Sequence, residues 1–346
     1  MNFCSDNVTG ASPEIVDAIM RANEGAAMPY GADPVTDHVR QRFNVVFETD
    51  VTVFPVATGT AANALSLSVL TPSHGAILCH EESHAWEDEC GAPEFYSGAK
   101  LVPMGGDHSK LDPAILETAL GRFQIGFEHH VQPAAVTLSQ ATESGTIYSV
   151  DEIKAISSLC RERGLKLHMD GARFANALET LGCSPADATW RAGVDALSFG
   201  ATKNGAIAAE AVVFFNAADA GDFGYRRKRG GHLFSKMRFL SAQLEAYLSD
   251  DLWRRNAMHA NAMAARLAAE LTTLPGVHLL HPVQANELFV TLAERVREGL
   301  LADGFKFYPW AAGGPDCIRL VTAFNTAEED ITALIDAARR YAADTA

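Results

Sequence analysis

The sequence lacks the paired cysteines and the long apolar runs that mark several classes of protein. Its six cysteines are scattered along the chain without a C-x-x-C pair, so neither a zinc site nor a disulfide framework is indicated. No apolar run approaches the roughly 20 residues that span a bilayer. The first residues, Met1 to Asp6, lack the basic and apolar regions of a secretory signal. These absences favour a cytoplasmic protein that has reduced thiols and no membrane partner.

Basic residues are also scarce. The chain of 346 residues has 28 lysines and arginines against 43 aspartates and glutamates, which gives a net charge of −15. Nucleic acids and anionic membrane surfaces are bound by basic stripes, so the composition argues against both partners. The one basic cluster, Arg226 to Arg229, is interpreted either as a charged surface turn or as a phosphate clamp or subunit contact. In the second interpretation Arg229 is a candidate cofactor ligand.

One lysine stands in a conspicuous position. Residues 194–199 predict a short buried strand, which breaks into small residues and presents Lys203 just beyond its end. In open α/β sheets the ligand crevice lies at the carboxyl ends of the strands. A lysine alone is more often a solvated surface charge, so its role depends on what else reaches the same sheet edge.

A second predicted strand supplies a partner for this lysine. Residues 165–169 lead into Asp170, and helical sequence separates Asp170 from Lys203, so one βαβ unit can bring both side chains to one sheet edge. A lysine amine can hold an aldehyde cofactor as a Schiff base, and a carboxylate can keep a pyridine nitrogen protonated. The pair predicts pyridoxal 5′-phosphate as cofactor.

Two further strand ends suit the same cofactor. Residues 51–56 predict a strand that leads to Gly59 and Thr60 at the start of a helix, where a phosphate can approach exposed amides. His84 follows the strand predicted at 76–80, where it could stack on a pyridine ring. A simple tight turn and a structural histidine are the alternative interpretations. The acidic residues between 81 and 89 are interpreted as a solvated face, and no metal site is predicted.

In the last hundred residues the sequence predicts short strands followed by helices. This order predicts a small α+β unit. Arg319 stands in one of its apolar strands and should have a carboxylate or phosphate partner, because burying an unpaired arginine is costly. The predicted fold is α/β, with a large domain (1–250) built on a mostly parallel sheet flanked by helices. A small α+β domain (251–346) follows, and residues 1–30 are expected to pack on that domain or on the site.

Several separated motifs together resemble the low-specificity L-threonine aldolases, which are pyridoxal-phosphate enzymes of the fold type I transferase class. The resemblance runs through nearly the whole chain, and its motifs fall in the family's order. The motifs are Ser5-Asp6-Asn7-Val8-Thr9, Tyr30-Gly31-Ala32-Asp33-Pro34, Gly59-Thr60-Ala61-Ala62-Asn63, His84, His168-Met169-Asp170-Gly171-Ala172-Arg173 and Lys203.

The resemblance implies roles for these residues. Lys203 would form the Schiff base, Asp170 would pair with the pyridine nitrogen, and His84 would stack on the ring. Gly59 and Thr60 would hold the cofactor phosphate, with Gln140 and Arg229 as further cofactor contacts. The substrate would be held by Ser5, Tyr30, Arg173 and Arg319, with Arg173 also near the cofactor. His129 matches a family histidine near the substrate side chain.

The implied reaction is retro-aldol cleavage of a β-hydroxy-α-amino acid, such as L-threonine, L-allo-threonine or L-phenylserine, to glycine and an aldehyde. His84 or His129 would remove the hydroxyl proton, directly or through water. Another pyridoxal-phosphate reaction, β-elimination or transamination, is the main alternative because a fold does not fix its chemistry. The second alternative is a non-catalytic protein that binds the cofactor. The family also implies a homodimer or homotetramer whose sites lie at the subunit interface.

The sequence departs from the family's usual pattern in three places. Ala61 stands where Gln is frequent, Asn204 where Gly is frequent, and Leu138-Ser139-Gln140 where Leu-Glu-Asn is usual. These departures leave the expected chemistry intact and bear on the preferred substrate.

Overall fold

The computed structural model describes residues 1–343. Residues 344–346, the end of the predicted small domain, lie outside the described part. A large sheet has seven strands in the order β1-β7-β6-β5-β4-β2-β3. They are β1 (Thr52–Val56), β2 (Gly75–His80), β3 (Lys100–Met104), β4 (Gln132–Ser139), β5 (Lys166–Gly171), β6 (Ala196–Gly200) and β7 (Glu210–Phe214).

The large sheet is mostly parallel, as the sequence predicts. Strands β3, β2, β4, β5 and β6 pair in parallel, whereas β7 pairs antiparallel with both β6 and β1. The residues of β2, β6 and β7 are buried throughout, which explains their continuous apolar sequences. Strands β6 and β7, which pair antiparallel, flank the turn that carries Lys203.

Helices cover the large sheet and continue into the C-terminal part. They are α1 (Pro13–Ala22), α2 (Pro34–Phe47), α3 (Gly59–Leu70), α4 (His84–Glu87), α5 (Ala92–Ser97), α6 (Pro113–Leu120), α7 (Val150–Glu162), α8 (Phe174–Leu181), α9 (Phe223–Arg229), α10 (Arg238–Tyr247), α11 (Leu252–Leu271), α12 (Glu294–Ala302) and α13 (Glu328–Ala343). Among the described residues, none of these helices is both long and apolar enough to cross a lipid bilayer.

Local sequence explains where several helices begin. Asp33 caps α2 by accepting a hydrogen bond from the Thr36 N–H at 2.9 Å, with Pro34 in the first helical position. Ser149 and Glu152 form a capping box at the start of α7. The helical sequence between 234 and 274 divides into α10 and α11 because Asp250 and Asp251 adopt positive φ angles of 51° and 54°.

Four strands form a smaller antiparallel sheet in the order β10-β11-β9-β8. They are β8 (His278–Leu279), β9 (Glu287–Thr291), β10 (Tyr308–Pro309) and β11 (Cys317–Val321). The N-terminal segment runs beside this sheet, where the Phe3 N–H donates to the Lys306 carbonyl at 2.8 Å and the Val321 N–H donates to the Phe3 carbonyl at 2.9 Å.

The apolar interior has two main parts. The larger part lies against the large sheet and contains packed aromatic rings such as Phe43 and Phe199, whose centroids are 5.1 Å apart. The second part lies against the small sheet and includes Phe3. Helix α11 contributes Trp253 to the first part and Leu267 to the second, so it connects the two.

Candidate active site

The carboxyl ends of three parallel strands meet at one edge of the large sheet. Ser139 at the end of β4 pairs in register with Asp170 of β5, and Asp170 pairs with Ser198 of β6. A cavity of about 380 Å³ opens at this edge. Ligand crevices of parallel α/β sheets form at this edge, so the cavity lies where the strand pattern predicts a site.

The cavity brings together part of the predicted set. The predicted residues that line it are Gly59, Thr60, His84, Asp170, Arg173 and Lys203. Polar residues that line it without having been predicted as site residues include Asn63, Glu89, Ser139, Glu143 and Glu210.

Lys203 lies in a tight turn just beyond β6. Gly200, at the end of β6, passes so close to the next segment that a Cβ there would lie 2.6 Å from the Ala172 carbonyl oxygen. Asn204, which follows the lysine, is buried and donates to the main-chain carbonyl of Trp253 at 2.7 Å. The glycine and the asparagine fix the turn and so present Lys203 to the cavity. Asn204 is therefore a structural residue of the site that the lysine motif did not reveal.

Asp170 has both carboxyl oxygens hydrogen-bonded. Asn63 Nδ2 donates to Oδ2 at 2.7 Å, and the Ala172 main-chain N–H donates to Oδ1 at 2.9 Å. The carboxyl accepts both of these hydrogen bonds. Its remaining lone pairs can accept a hydrogen bond from a group in the cavity. An acceptor at this place is what a protonated pyridine nitrogen requires.

His84 begins helix α4 and has a side chain that is 39% exposed. Its Nδ1 lies 3.0 Å from Glu89 Oε1, and the same oxygen accepts a hydrogen bond from Asn63 Nδ2 at 2.9 Å. The hydrogen bond to Glu89 raises the pKa of His84, and burial raises the pKa of Glu89. A continuous hydrogen-bonded path therefore runs from His84 through Glu89 and Asn63 to Asp170.

Glu89 corrects one interpretation of the sequence. The acidic residues from 81 to 89 were expected to form a solvated face, but Glu89 is only 3% exposed. Its neighbours Glu87 and Asp88 are exposed. Helix α4 is one turn long, and the chain after it turns the Glu89 carboxyl inward against Asn63. Within residues 1–343, no group of three or more His, Cys, Asp or Glu side chains is placed to hold a metal ion.

The N-terminus of α3 forms one wall of the cavity. Thr58 caps this helix by accepting a hydrogen bond from the Ala61 N–H at 3.1 Å. The first amides of a helix have no intrahelical acceptor, and the helix dipole favours an anion there. A Cβ added to Gly59 would meet no atom within 4 Å, so the space beside these amides is open. The first amides of α3 therefore form a cradle for an anion.

Arg173 connects the cavity to two other parts of the chain. Its guanidinium lies 2.8 Å from Asp6 Oδ2 and 3.1 Å from Glu287 Oε2. Arg319 of β11 lies 3.9 Å from the other oxygen of Glu287, which is the carboxylate partner that the sequence led us to expect. Burial alone would raise the pKa of Asp6, but Arg173 and Lys203 bring it below the ordinary value.

Two further carboxyl groups line the cavity. Burial raises the pKa of Glu143 to about 7 and that of Glu210 to about 7. Glu210 Oε2 accepts a hydrogen bond from the Ala201 N–H at 2.8 Å, beside the turn that carries Lys203. Carboxyls of this kind exchange a proton near neutral pH.

Gln140 and Ser5 have structural contacts in place of the predicted ligand contacts. Gln140 is fully buried, its Nε2 donates to the Tyr148 carbonyl at 2.8 Å, and its Oε1 accepts from the Tyr148 N–H at 3.0 Å. Both ends of the Gln140 amide are therefore used within the chain, and Gln140 does not line the cavity. Ser5 accepts a hydrogen bond from the Asn7 N–H at 3.1 Å.

Four more predicted residues lie outside the cavity lining. His129 is exposed and packs on Phe127, with ring centroids 4.8 Å apart. Tyr30 is 48% exposed, and Arg229 is exposed at the end of α9. Arg319 reaches the site only through Glu287, and its Nη2 donates to the Cys4 carbonyl at 3.1 Å.

These residues fit pyridoxal 5′-phosphate. An anion cradle at the start of α3, a hydrogen-bonded aspartate and a lysine share one cavity. The donor and acceptor types match the phosphate, the protonated ring nitrogen and the aldehyde carbon of the cofactor in turn.

Comparison with known proteins agrees with this site. Residues 2–295 match the model of the family described as beta-eliminating lyase. The chain is 46% identical over 334 residues to a low specificity L-threonine aldolase from Pseudomonas sp. (strain NCIMB 10558), covering 96% of this chain and 95% of that protein. It is 49% identical over 314 residues to the low specificity L-threonine aldolase of Pseudomonas aeruginosa, covering 90% of each chain.

A solved structure shows the same fold. A threonine aldolase from Leishmania major superposes with a TM-score of 0.92 at 30% sequence identity, covering 98% of each chain. This agreement confirms the fold type I architecture. The chain belongs to the beta-eliminating lyase family and, within it, to the low specificity L-threonine aldolases.

Proposed function

We propose that this chain cleaves L-threonine and related β-hydroxy-α-amino acids to glycine and an aldehyde. The observation that carries the proposal is the single cavity that joins Lys203, Asp170 and Arg173. Its cofactor is pyridoxal 5′-phosphate. When bound, this group supplies an electron sink for the electrons released as the Cα–Cβ bond breaks.

The residues of this chain orient the substrate and move its protons. Arg173, supported by Arg319, holds the substrate carboxylate. Because Glu89 engages His84 Nδ1, Nε2 is the ring nitrogen that takes the proton from the β-hydroxyl as the aldehyde leaves. Lys203 would hold the cofactor, and its Nζ, when it is not bound to the cofactor, could carry a proton.

The main competing reaction is β-elimination, which the family name itself suggests. Threonine would then give 2-oxobutanoate and ammonia in place of acetaldehyde and glycine. The test is to incubate the purified holoenzyme with L-threonine and L-allo-threonine and to measure all four products, with Lys203→Ala as control. We expect equal amounts of acetaldehyde and glycine from the parent and none from the variant. Formation of 2-oxobutanoate without glycine would overturn the proposal.

We also propose that the protein is a homodimer or homotetramer with sites at the subunit interface. The support is that Tyr30, His129 and Arg229, which the family resemblance places near the site, are exposed and outside the cavity of their own chain. Large apolar side chains are also exposed, including Tyr225 and Phe95 at 82% each.

Complementation tests this arrangement. Lys203→Ala and Tyr30→Ala, each inactive alone, should regain about a quarter of the activity per dimer when they are unfolded together and refolded. Two defects in separate chains leave one intact site only if each site takes residues from both chains. No recovery, from a mixture shown by light scattering to be oligomeric, would place both residues in one chain's site.

We propose in addition that the chain divides near residue 250 into a large domain (1–250) and a small domain (251–346). The support is the separation of the apolar interior into two parts joined by α11. A cytoplasmic location is supported by the free thiols of Cys4, Cys79, Cys90, Cys160, Cys183 and Cys317.

A further inference from the structure

Glu143 lies on the loop after β4 and lines the cavity, but no motif assigned it a role. Its Oε1 accepts two hydrogen bonds, from Ser139 Oγ at 2.6 Å and from the His84 main-chain N–H at 2.8 Å. Ser139 is the residue that stands where the family usually has glutamate. At this corner of the cavity the carboxylate is therefore supplied by Glu143, four residues after Ser139.

The helix that begins with His84 has no cap of its own. Ser83 occupies the N-cap position, but its side chain makes no cap hydrogen bond. The first amides of a helix need an external acceptor. Glu143 provides it for His84 from 59 positions away in the sequence.

Two carboxyl groups therefore hold His84 at two points. Glu143 holds its main chain and Glu89 holds Nδ1 of its ring, 3.0 Å away. The imidazole itself is 39% exposed, so packing covers it only in part. Loss of either carboxyl leaves the ring free to shift relative to the cavity.

We propose that Glu143 is a positioning residue for His84, fixing the main chain of that residue and thereby the placement of its imidazole in the cavity. The proposal rests on the role of His84 in the proposed function. Glu143 acts through His84 and forms no bond to the substrate.

The positioning depends on pH. Burial raises the pKa of Glu143 to about 7, against the opposing effect of the hydrogen bonds from Ser139 and His84. The neutral acid is a weaker acceptor than the carboxylate, so the contact with His84 weakens as pH falls through 7. Glu143 Oε2 is shielded from solvent and has no hydrogen-bond partner among residues 1–343, so the added proton meets no competing donor there. The other titratable groups that act on Glu143, or on which it acts, are Asp170, Arg173, Cys79 and Tyr148.

The test compares Glu143→Gln with Glu143→Ala. Glutamine keeps an oxygen that accepts both hydrogen bonds but does not titrate, whereas alanine removes the acceptor. We expect Glu143→Ala to lower kcat on the order of 10- to 100-fold, the cost of a misplaced catalytic group, with KM for L-threonine changed less than about two-fold. We expect Glu143→Gln to restore most of kcat and to remove the limb of the pH profile near pH 7. Glu87→Gln, an exposed carboxyl on the same helix, is the matched control.

A second measurement does not depend on turnover. The ring-proton NMR signal of His84, assigned with His84→Asn, should move in Glu143→Ala and remain in place in Glu143→Gln and Glu87→Gln. An unmoved His84 signal and a normal kcat in folded Glu143→Ala would overturn the proposal. Equal losses of kcat in Glu143→Ala and Glu143→Gln would also overturn it, since they would indicate direct proton transfer by Glu143. If the parent enzyme released no aldehyde, the proposed function would fail while the NMR comparison still decided the positioning role.

Discussion

Two polar clusters meet at the cavity, and they differ in how their charges are balanced. The His84 cluster consists of His84, Glu89, Asn63, Asp170 and Glu143. The Arg173 cluster consists of Arg173, Asp6, Glu287 and Arg319. In the first, carboxyl groups outnumber the one group that can become cationic. In the second, two arginines face two carboxylates.

The difference appears in the pKa values of the buried carboxyl groups. Burial raises the pKa of Glu143 to about 7, against the opposing effect of its hydrogen bonds from Ser139 and His84. Asp6 is buried as well, yet Arg173 and Lys203 hold its pKa below the ordinary value. Burial therefore does not decide the pKa of a carboxyl on its own, because a nearby cation can outweigh it, as at Asp6. At Glu287 burial outweighs Arg173 and Arg319, and the pKa is raised.

The two clusters consequently meet a ligand in different ways. Under the proposed function, a cationic ring nitrogen beside Asp170 would give the His84 cluster a favourable contact, so binding of the cofactor would stabilise this cluster. The Arg173 cluster is already paired and links the N-terminal segment, the end of β5 and the small sheet. Under the same proposal, a substrate carboxylate would share Arg173 and Arg319 with Asp6 and Glu287.

The largest effect should come from removing the cation at the centre of the Arg173 cluster. Arg173→Gln leaves Asp6 buried without its cation and leaves Glu287 with Arg319 at 3.9 Å, and breaking a buried pair in this way costs about 3–5 kcal/mol. Urea denaturation of the cofactor-free protein measures it. Arg191→Gln, which removes two exposed ion pairs, should leave the midpoint where it is. Equal midpoints for the two variants would show that the Arg173 pairs do not stabilise the fold.

The next effect should come from the His84 cluster and should depend on pH. The pKa of Glu143 in the folded chain is about 7, above its ordinary 4.5, so the parent loses stability as pH rises between these values. Glutamine does not titrate, so Glu143→Gln lacks this change of stability with pH. The stability of the variant relative to the parent should therefore rise by about 3 kcal/mol between pH 4 and pH 8. Urea denaturation across this range checks it, and a pH-independent difference would contradict the raised pKa.

A smaller effect of opposite sign is expected for Asp6→Asn. The pKa of Asp6 is lowered in the folded chain, so its carboxylate stabilises the fold above the ordinary pKa, and this contribution is lost as pH falls through the folded value. At neutral pH the variant should lose about 1.5–3 kcal/mol, the range for hydrogen bonds to charged groups. The loss should shrink in acid. A loss that grew as pH fell would remove the distinction between the two clusters.

Much of the fold and the centre of the site could be predicted from sequence because they are encoded locally. The apolar runs before Asp170 and Lys203 specify buried strands, and parallel pairing brings the ends of those strands together. The expected carboxylate partner of Arg319 followed from the cost of burying a lone arginine, and Glu287 fills that role.

The supporting residues could not be predicted in the same way. Glu89 belongs to a run of acids that is otherwise exposed, and only its contact with Asn63, 26 positions away, distinguishes it. Glu143 contacts a main-chain amide 59 positions away, which no periodicity encodes. The departure at Ser139, where the family usually has a carboxylate, does not by itself indicate Glu143.

The most direct test of the two-cluster account measures two constants on two variants. Asp170→Asn and Arg319→Gln are each titrated with pyridoxal 5′-phosphate and assayed for the KM of L-threonine. The account predicts that Asp170→Asn weakens cofactor binding, whereas Arg319→Gln leaves cofactor binding unchanged and raises KM. Cofactor binding weakened equally in both variants, or unchanged in Asp170→Asn, would contradict the assignment of one cluster to the cofactor and the other to the substrate.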